Sequence, residues 1–363
     1  MRLFLATLAM APLGLAAPSA VQSRDGTTQG AIVTFHANRG SAEAAIEVWN
    51  ADQTVMLGQS CKATLDSGAF AAAPIAFVVD GDTGSGTVTI GAKTYTIHDN
   101  VAVSGGISCG RVTSEAEVMV KCNVPLPATL PLARMHKRDL ADCFPVGGSG
   151  ELEYVMRNLE TEEEPIVDHD APVTEPEPET LTATPTTLVP RQRVCEIVSL
   201  STERVGNGNP HQNPKHIQLS IPFNCTTPGG DGRPCVLEHS QQTSYSIGWE
   251  ASISGAGWIT GGFSVQKEVS TGTTAGCTGI KGDYFAVWKK VGQTAYTVRQ
   301  KRTPNCGLPV TYGPNYIIWS PNSGEANSNF YCVYGFNYVR NKGDRWLDTR
   351  ANCPWGPERK CDM

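Results

Sequence analysis

The chain reads as all-β: two small disulfide-stabilised β-sandwich or barrel domains joined by a disordered, acidic Pro/Thr-rich linker. Three observations predict this. Short runs rich in Val, Ile, Thr and Phe recur at strand length between Gly-rich turns. The 12 cysteines fall in even groups, Cys61, Cys109, Cys122 and Cys143 before the linker and Cys195, Cys225, Cys235, Cys277, Cys306, Cys332, Cys353 and Cys361 after it. Between them, 151–193 (ELEYVMRNLETEEEPIVDHDAPVTEPEPETLTATPTTLVPRQR) holds eleven Asp/Glu against three Arg and no cysteine. The divisions that follow are a signal peptide over 1–20, an N-terminal β-domain over 21–150, the linker over 151–193 and a cysteine-rich β-domain over 194–363.

The first element sets the compartment. Arg2 supplies a short positive start, Leu3 to Ala17 is an apolar run, and Ala16, Ala17 and Ala20 offer small residues for cleavage before VQSRDG. This predicts a secreted, extracellular protein. The run is shorter than the ~20 apolar residues of a membrane span. The only later candidate, Ala69 to Val79, is shorter still and broken by Pro74, so no transmembrane segment is expected. Even cysteine counts suit an oxidising compartment with bridges closed inside each domain. No C-x-x-C occurs, which argues against a zinc ribbon or a thioredoxin-type pair.

In the N-terminal domain the predicted strands begin at Ala31 (AIVTFHA), Ala44 (AAIEVWN), Ile75 (IAFVVD), Thr87 (TVTIG), Thr94 (TYTIH) and Ala116 (AEVMVKC). Asp82-Thr83-Gly84-Ser85 spells the D-T-G-S of pepsin-like aspartic proteases, with Asp66-Ser67-Gly68 as a possible second copy. Those enzymes need two carboxylates sharing a proton, from separate lobes. Two copies sixteen residues apart, with Gly81 interrupting the strand before Asp82, read instead as turns. Lys137-Arg138 in ARMHKRDL is a dibasic processing site of the kind that furin-like proteases cut, and Arg191-Gln-Arg193 is a second candidate. A cut after Arg138 leaves odd numbers of cysteines on both sides, so a bridge is expected to span it.

The linker's Pro-Thr-Glu composition cannot offset an ordering cost of about 1–2 kcal/mol per residue and predicts an extended, self-repelling spacer. Charge divides unevenly along the chain. Residues 1–150 carry a net −2, the linker −8 and 194–363 a net +4. That mild basicity lacks the dense patch of a nucleic-acid footprint.

In the C-terminal domain, Thr243 to Ser270 alternates polar and apolar residues on both sides of Gly255-Ala-Gly257, predicting a hairpin with one apolar face. Its length also fits a membrane-inserting strand pair, as in aerolysin-type pore-formers. A second hairpin is predicted from Tyr284–Val291, a Gly292-Gln293 turn of type II′, and Thr294–Val298. Later strands are expected over Asn315–Trp319 and Phe330–Val339. Asn224-Cys225-Thr226 is the single N-x-S/T sequon, marking Asn224 for glycosylation. Trp319, Tyr334 and Trp346 stand out among late aromatics as candidate anchors for an extracellular protein or glycan.

Catalytic motifs are thin. H-E-x-x-H, G-x-S-x-G, a Walker loop and a strand-linked G-x-G-x-x-G do not occur, so no cofactor is implied. His211, His216 and His239 are too scattered to predict a metal site. The run GWITGGFSVQKEVSTGTTAGCTG with GDYFAVWKKVGQTAYTV, then IIWSPNSG and NFYCVYGFNYVRNKGD, resembles cysteine-rich secreted, effector-like proteins of filamentous fungi over about 245–346. That resemblance implies a secreted protein and no particular reaction. The expectation is a non-enzymatic protein acting outside the cell by binding. A secreted hydrolase with a dispersed site and a β-hairpin pore-former are the competing readings.

Overall fold

The computed structural model describes residues 27–41, 43–144, 151–160, 197–226, 235–239, 244–246, 268–270, 275–304, 308–322, 324 and 327–348. The predicted signal peptide, residues 161–193 of the predicted linker, the turn of the predicted 243–270 hairpin, and Cys195, Cys306, Cys353 and Cys361 lie outside them. The described chain is mostly β with two short helices. It divides into two compact units, one of 1–80, 84–111 and 119–149, the other of 81–83, 112–118 and 150–363.

The first unit holds β1 (Thr28–Asn38), β2 (Ala44–Asn50), β3 (Met56–Ser60), β4 (Thr64–Leu65), β5 (Ile75–Val79), β6 (Gly86–Ile90), β7 (Lys93–Thr96), β8 (Ser108–Ser114) as far as Arg111 and β9 (Glu117–Pro127) from Met119, with α1 (Val101–Ser104) before β8. One sheet runs β8-β9-β1-β2-β3 and the other β4-β5-β6-β7. The six strands expected from the sequence are all present. Val33, Ile46, Val48, Ile75, Val88, Ile97 and Val120 are fully buried, each removal from water contributing about 1.5–3 kcal/mol. Phe35 of β1 stacks on Phe77 of β5 with centroids 5.1 Å apart, which joins the two sheets through their inner faces. Strand β3 packs so closely on the short 3-10 helix Gly68–Ala71 that a Cβ at Gly58 would lie 2.5 Å from Phe70 Cε2. Cys61–Cys143 and Cys109–Cys122 close this unit.

The D-T-G-S segment is the β5–β6 turn. Asp80 N–H donates to Ser85 O (2.7 Å), Gly84 N–H donates to Asp80 O (2.8 Å), and Gly84 takes a φ of 65° that favours glycine. Asp82 is exposed in that turn, and Asp66 is exposed beside the 3-10 helix.

The second unit opens with a departure from the sequence reading. Glu151–Glu160, the first ten residues of the predicted linker, form helix α2 rather than a spacer. Leu152, Val155, Met156 and Leu159 are buried on one face at the i, i+3, i+4, i+7 spacing of an amphipathic helix. Glu153 and Arg157 pair at 2.9 Å across one exposed turn. Averaged over 43 residues the segment is acidic and Pro-rich. Its first ten carry an apolar stripe and no proline, so burial offsets the ordering cost there.

The strands that follow are β10 (Ile197–Arg204), β11 (His211–Gln212), β12 (Lys215–Gln218), β13 (Phe223–Asn224), β14 (Cys235–His239), β15 (Ser244–Ser246), β16 (Glu268–Ser270), β17 (Ala275–Gly279), β18 (Tyr284–Val291), β19 (Gln293–Pro304), β20 (Thr311–Pro321), β21 (Asn329–Tyr334) and β22 (Arg345–Leu347). One sheet path carries β22-β12-β18-β21, with β13 also on β18. A second sheet sets β10 and β11 on one side of β19 and β20 on the other. The ends of the 243–270 hairpin pair as expected, Ser244 with Ser270, Tyr245 with Val269 and Ser246 with Glu268.

The second predicted hairpin is not formed. β18 pairs with β12, β13 and β21, whereas β19 pairs with β10, β11 and β20. Gly292 therefore carries the chain from one sheet to the next, and it is not among the glycines of positive φ that a type II′ turn requires. Val287, Trp288, Ala295 and Tyr296 are all buried, so each strand finds flanking partners better than a hairpin would supply.

Two elements cover opposite faces of the β22-β12-β18-β21 path. On one, Cys277 of β17 bonds Cys332 of β21 within a cluster of Phe285, Val287 and Tyr334, and Cys225 bonds Cys235 beside it. A Cβ at Gly279 would meet Phe285 Cε1 at 2.5 Å, which shows how closely the β14–β17 ribbon lies on that face. On the other face lies α2. Among the described residues no cysteine is free and no helix is long and apolar enough to cross a membrane.

Candidate binding surface

Two of the three aromatic anchors chosen from sequence are internal. Tyr334 is 1% exposed, stacks on Phe285 at 5.4 Å and donates its hydroxyl to Thr278 O at 2.8 Å. Trp346 is 2% exposed and lies flat on the His216 ring, with centroids 3.7 Å apart and planes at 7°. Both sit on faces of the sheet that other elements cover, so neither ring is presented to a partner. Trp319 is only partly buried, on the outer side of the β19–β20 ladder.

Beneath α2 the register assembles a polar cluster. His216 pairs across β12 with Lys290 and with Trp346, and Trp288 pairs with Tyr331. Paired residues share a face of the sheet, so these side chains meet. His216 Nδ1 and the Tyr331 hydroxyl are hydrogen-bonded at 2.9 Å. The helix then fastens itself to the same face. Glu151 pairs with Lys290 Nζ at 3.0 Å, Tyr154 meets Trp346 edge-on at 5.6 Å, Tyr338 donates to Glu160 at 3.0 Å, and Arg340 donates to Asn158 O at 2.8 Å.

Burial pushes both phenols upward. Tyr331 is held well above the usual range mainly by desolvation and then by Glu151, with Arg340 opposing. Tyr338 is raised likewise, by burial and then by Glu160. Both therefore remain protonated, and Tyr338 remains a donor to Glu160. The His216 imidazole is fully buried, and the cluster works as an internal lock for the helix.

A pH dependence follows. Up to about pH 10, the ordinary phenol value, both tyrosines carry their protons folded and unfolded. Above it the unfolded chain gives them up while the folded chain retains them, so unfolding releases protons and stability falls with pH. Chemical-denaturation midpoints should be flat through neutral pH and drop progressively above about pH 10. Tyr338→Phe should shallow that drop. An equal alkaline slope in wild type and variant would contradict the assignment.

The surface that does face solvent lies on the outer side of β19–β20. Trp319 pairs with Ala295, Ile317 with Thr297, Asn315 with Arg299 and Tyr312 with Lys301. Between Arg299 and Lys301 the register shifts by one residue, and the extra residue on β20 turns Tyr312 to the same side as Asn315. The Arg299 guanidinium then lies 3.7 Å from the Tyr312 ring centroid. Glu203 holds that guanidinium at 2.6 Å and approaches Lys301 Nζ at 3.7 Å. Tyr312 is 47% exposed and Ile317 41%. Pro314 and Pro321 have no N–H to offer along β20, which blunts the strand against edge-to-edge pairing and leaves the side-chain face as the contact surface.

The chain matches no protein-family model, no curated protein and no solved structure.

The remaining candidates are dispersed. Asn224 is exposed on β13 while its neighbour Cys225 is buried in a disulfide. Arg138 is exposed at the surface of the first unit. His211 lies on β11 beside β19 and His216 on β12 beside β18, in different sheets, and the side chain of His239 is outside the description. Ile317 lies in the strand expected over Asn315–Trp319, whereas Gly313-Pro314 breaks the alternation that would have joined Tyr312 to it, and the contact of Tyr312 with Arg299 on the neighbouring strand has no local signal. The stretch Tyr316-Ile-Ile-Trp319, two aromatics flanking two aliphatics, was the available signal.

Proposed function

We propose that the protein is secreted and acts outside the cell as a non-enzymatic, disulfide-fastened binding protein whose contact surface is the outer face of β19–β20. In this reading the acidic segment 161–193 does not join the two β modules but lies within the second, between α2 and β10, because α2 belongs to that module. The build agrees with the resemblance to effector-like secreted proteins of filamentous fungi. The exposed row of Ile317, Tyr312 and the Arg299 guanidinium laid over that ring carries the proposal. Aromatic and arginine side chains dominate the energetics of protein contacts, and an exposed aliphatic beside them favours a protein over a sugar. Arg299 and Lys301 on this face, set against Glu203, suit an acidic partner surface.

The labelled mature protein should bind saturably to intact target cells, and protease treatment of those cells should abolish the binding. Tyr312→Ala with Ile317→Ser should weaken it at least about tenfold, or ~1.4 kcal/mol, without moving the thermal midpoint. Absence of saturable binding, survival of binding on protease-treated cells, or wild-type affinity in the variant would each reject this face as the contact.

A further inference from the structure

We propose that the Arg138–Asp139 peptide bond is a cleavage site for a dibasic-specific endoprotease of the secretory pathway, and that the product remains one molecule, two chains joined by the Cys61–Cys143 disulfide. The motif Lys137-Arg138 lies in a single 3-10 turn, Lys137–Asp139. Arg138 and Asp139 expose 83% and 51% of their side chains, and the contact between them, 3.6 Å, is a surface pair of little strength. His136 and Leu140 on either side are also exposed. One backbone hydrogen bond, Asp139 N–H to His136 O at 2.8 Å, closes the turn. Exposed, weakly held turns of this kind are where proteases nick folded chains.

What distinguishes this turn is how its two ends are held. Upstream, Met135 N–H donates to Met56 O at 2.9 Å. Downstream, Ala141 N–H donates to Gln59 Oε1 at 2.8 Å and Gln59 Nε2 donates back to Ala141 O at 3.1 Å. Two residues later Cys143 is bonded to Cys61. Met56 and Gln59 belong to β3 and Cys61 follows it directly, so the segment 135–143 lies along one strand and is fastened to it on both sides of the scissile bond. Hydrolysis adds water across Arg138–Asp139, leaving a carboxylate on Arg138 and an ammonium on Asp139. Each new end keeps its own attachment. The bridge that cysteine parity demanded across this cut is thus the one the fold makes, its partners 82 positions apart in sequence.

This inference rests on the export reading, and its test separates the two. The full chain is expressed in a eukaryotic secretory host and the medium is analysed by gel electrophoresis with and without reductant and by N-terminal sequencing. Recovery from the medium tests export. Among exported molecules a chain beginning at Asp139 is expected, released only by reductant, and lost in the Lys137→Gln, Arg138→Gln variant. An uncut exported chain, pieces that part without reductant, or an Asp139 terminus that persists in the variant overturns the proposal. If the protein is not exported, the purified, oxidised chain is treated with a purified dibasic-specific protease. Cleavage after Arg138 at least tenfold faster than in the variant supports the site, and resistance overturns it.

Discussion

Placing aspartate at Val155 is expected to unfold the second unit or bring it to the edge of unfolding. Val155 is 0% exposed in the middle of α2, between Leu152 and Leu159 on the same buried stripe. A carboxylate there must be stripped of water with no cation supplied, or be protonated at a cost. Changes of this type exceed about 4 kcal/mol, against a total margin of about 5–15 kcal/mol for a folded domain. Arg157→Ser, two residues on, removes only the exposed pair with Glu153 and should stay within about 0.5 kcal/mol. Urea midpoints read by tryptophan fluorescence distinguish the cases, since Trp346 lies under the helix. Were 151–160 merely part of a tether, both substitutions would leave the midpoint in place.

Removing Cys277–Cys332 is expected to be nearly as severe. The bridge closes a separation of 55 residues, which corresponds to about 4 kcal/mol of denatured-state restriction. It also lies within the cluster of Phe285, Val287 and Tyr334, where serine hydroxyls would lack the ordinary partners of a polar group. Replacing both cysteines with alanine avoids that second penalty and isolates the first. The same replacement at Cys225–Cys235, a separation of only 10, should cost less, about 2.7 kcal/mol. The comparison is a ranking of denaturation midpoints under oxidising conditions, and equal losses at the two bridges would refute the loop-length argument.

Several strands were plain in the sequence because their signals are local. AIVTFHA, AAIEVWN and IAFVVD combine β-branched residues with bounding turns, and β1, β2 and β5 lie where those runs do. β3 and β8 were not anticipated. Met56–Ser60 carries a glycine pressed against Phe70, and Ser108–Ser114 carries Gly110 and a buried Arg111. In both, neighbouring strands supply the ladder that propensity does not. Alternation likewise located β18 and β19 but assigned them to each other. Period-2 patterning reports which face of a strand is buried and carries no information about which strand lies beside it.

The chain's own composition determined that this is a β-rich protein with even sets of cysteines on either side of an acidic tract, and it marked Lys137-Arg138 as a place where a bridge must cross a cut. Tertiary structure alone decided that Cys143 reaches back to Cys61, that Trp346 and Tyr334 are interior, and that Glu151–Glu160 leaves the tract to become a helix. Turn chemistry, alternation and parity are written within a few residues of one another. Disulfide partners, strand neighbours and the burial of an amphipathic helix depend on groups far away in the chain, such as Lys290 and Tyr338 for Glu151 and Glu160, and those meet only once the sheets have formed.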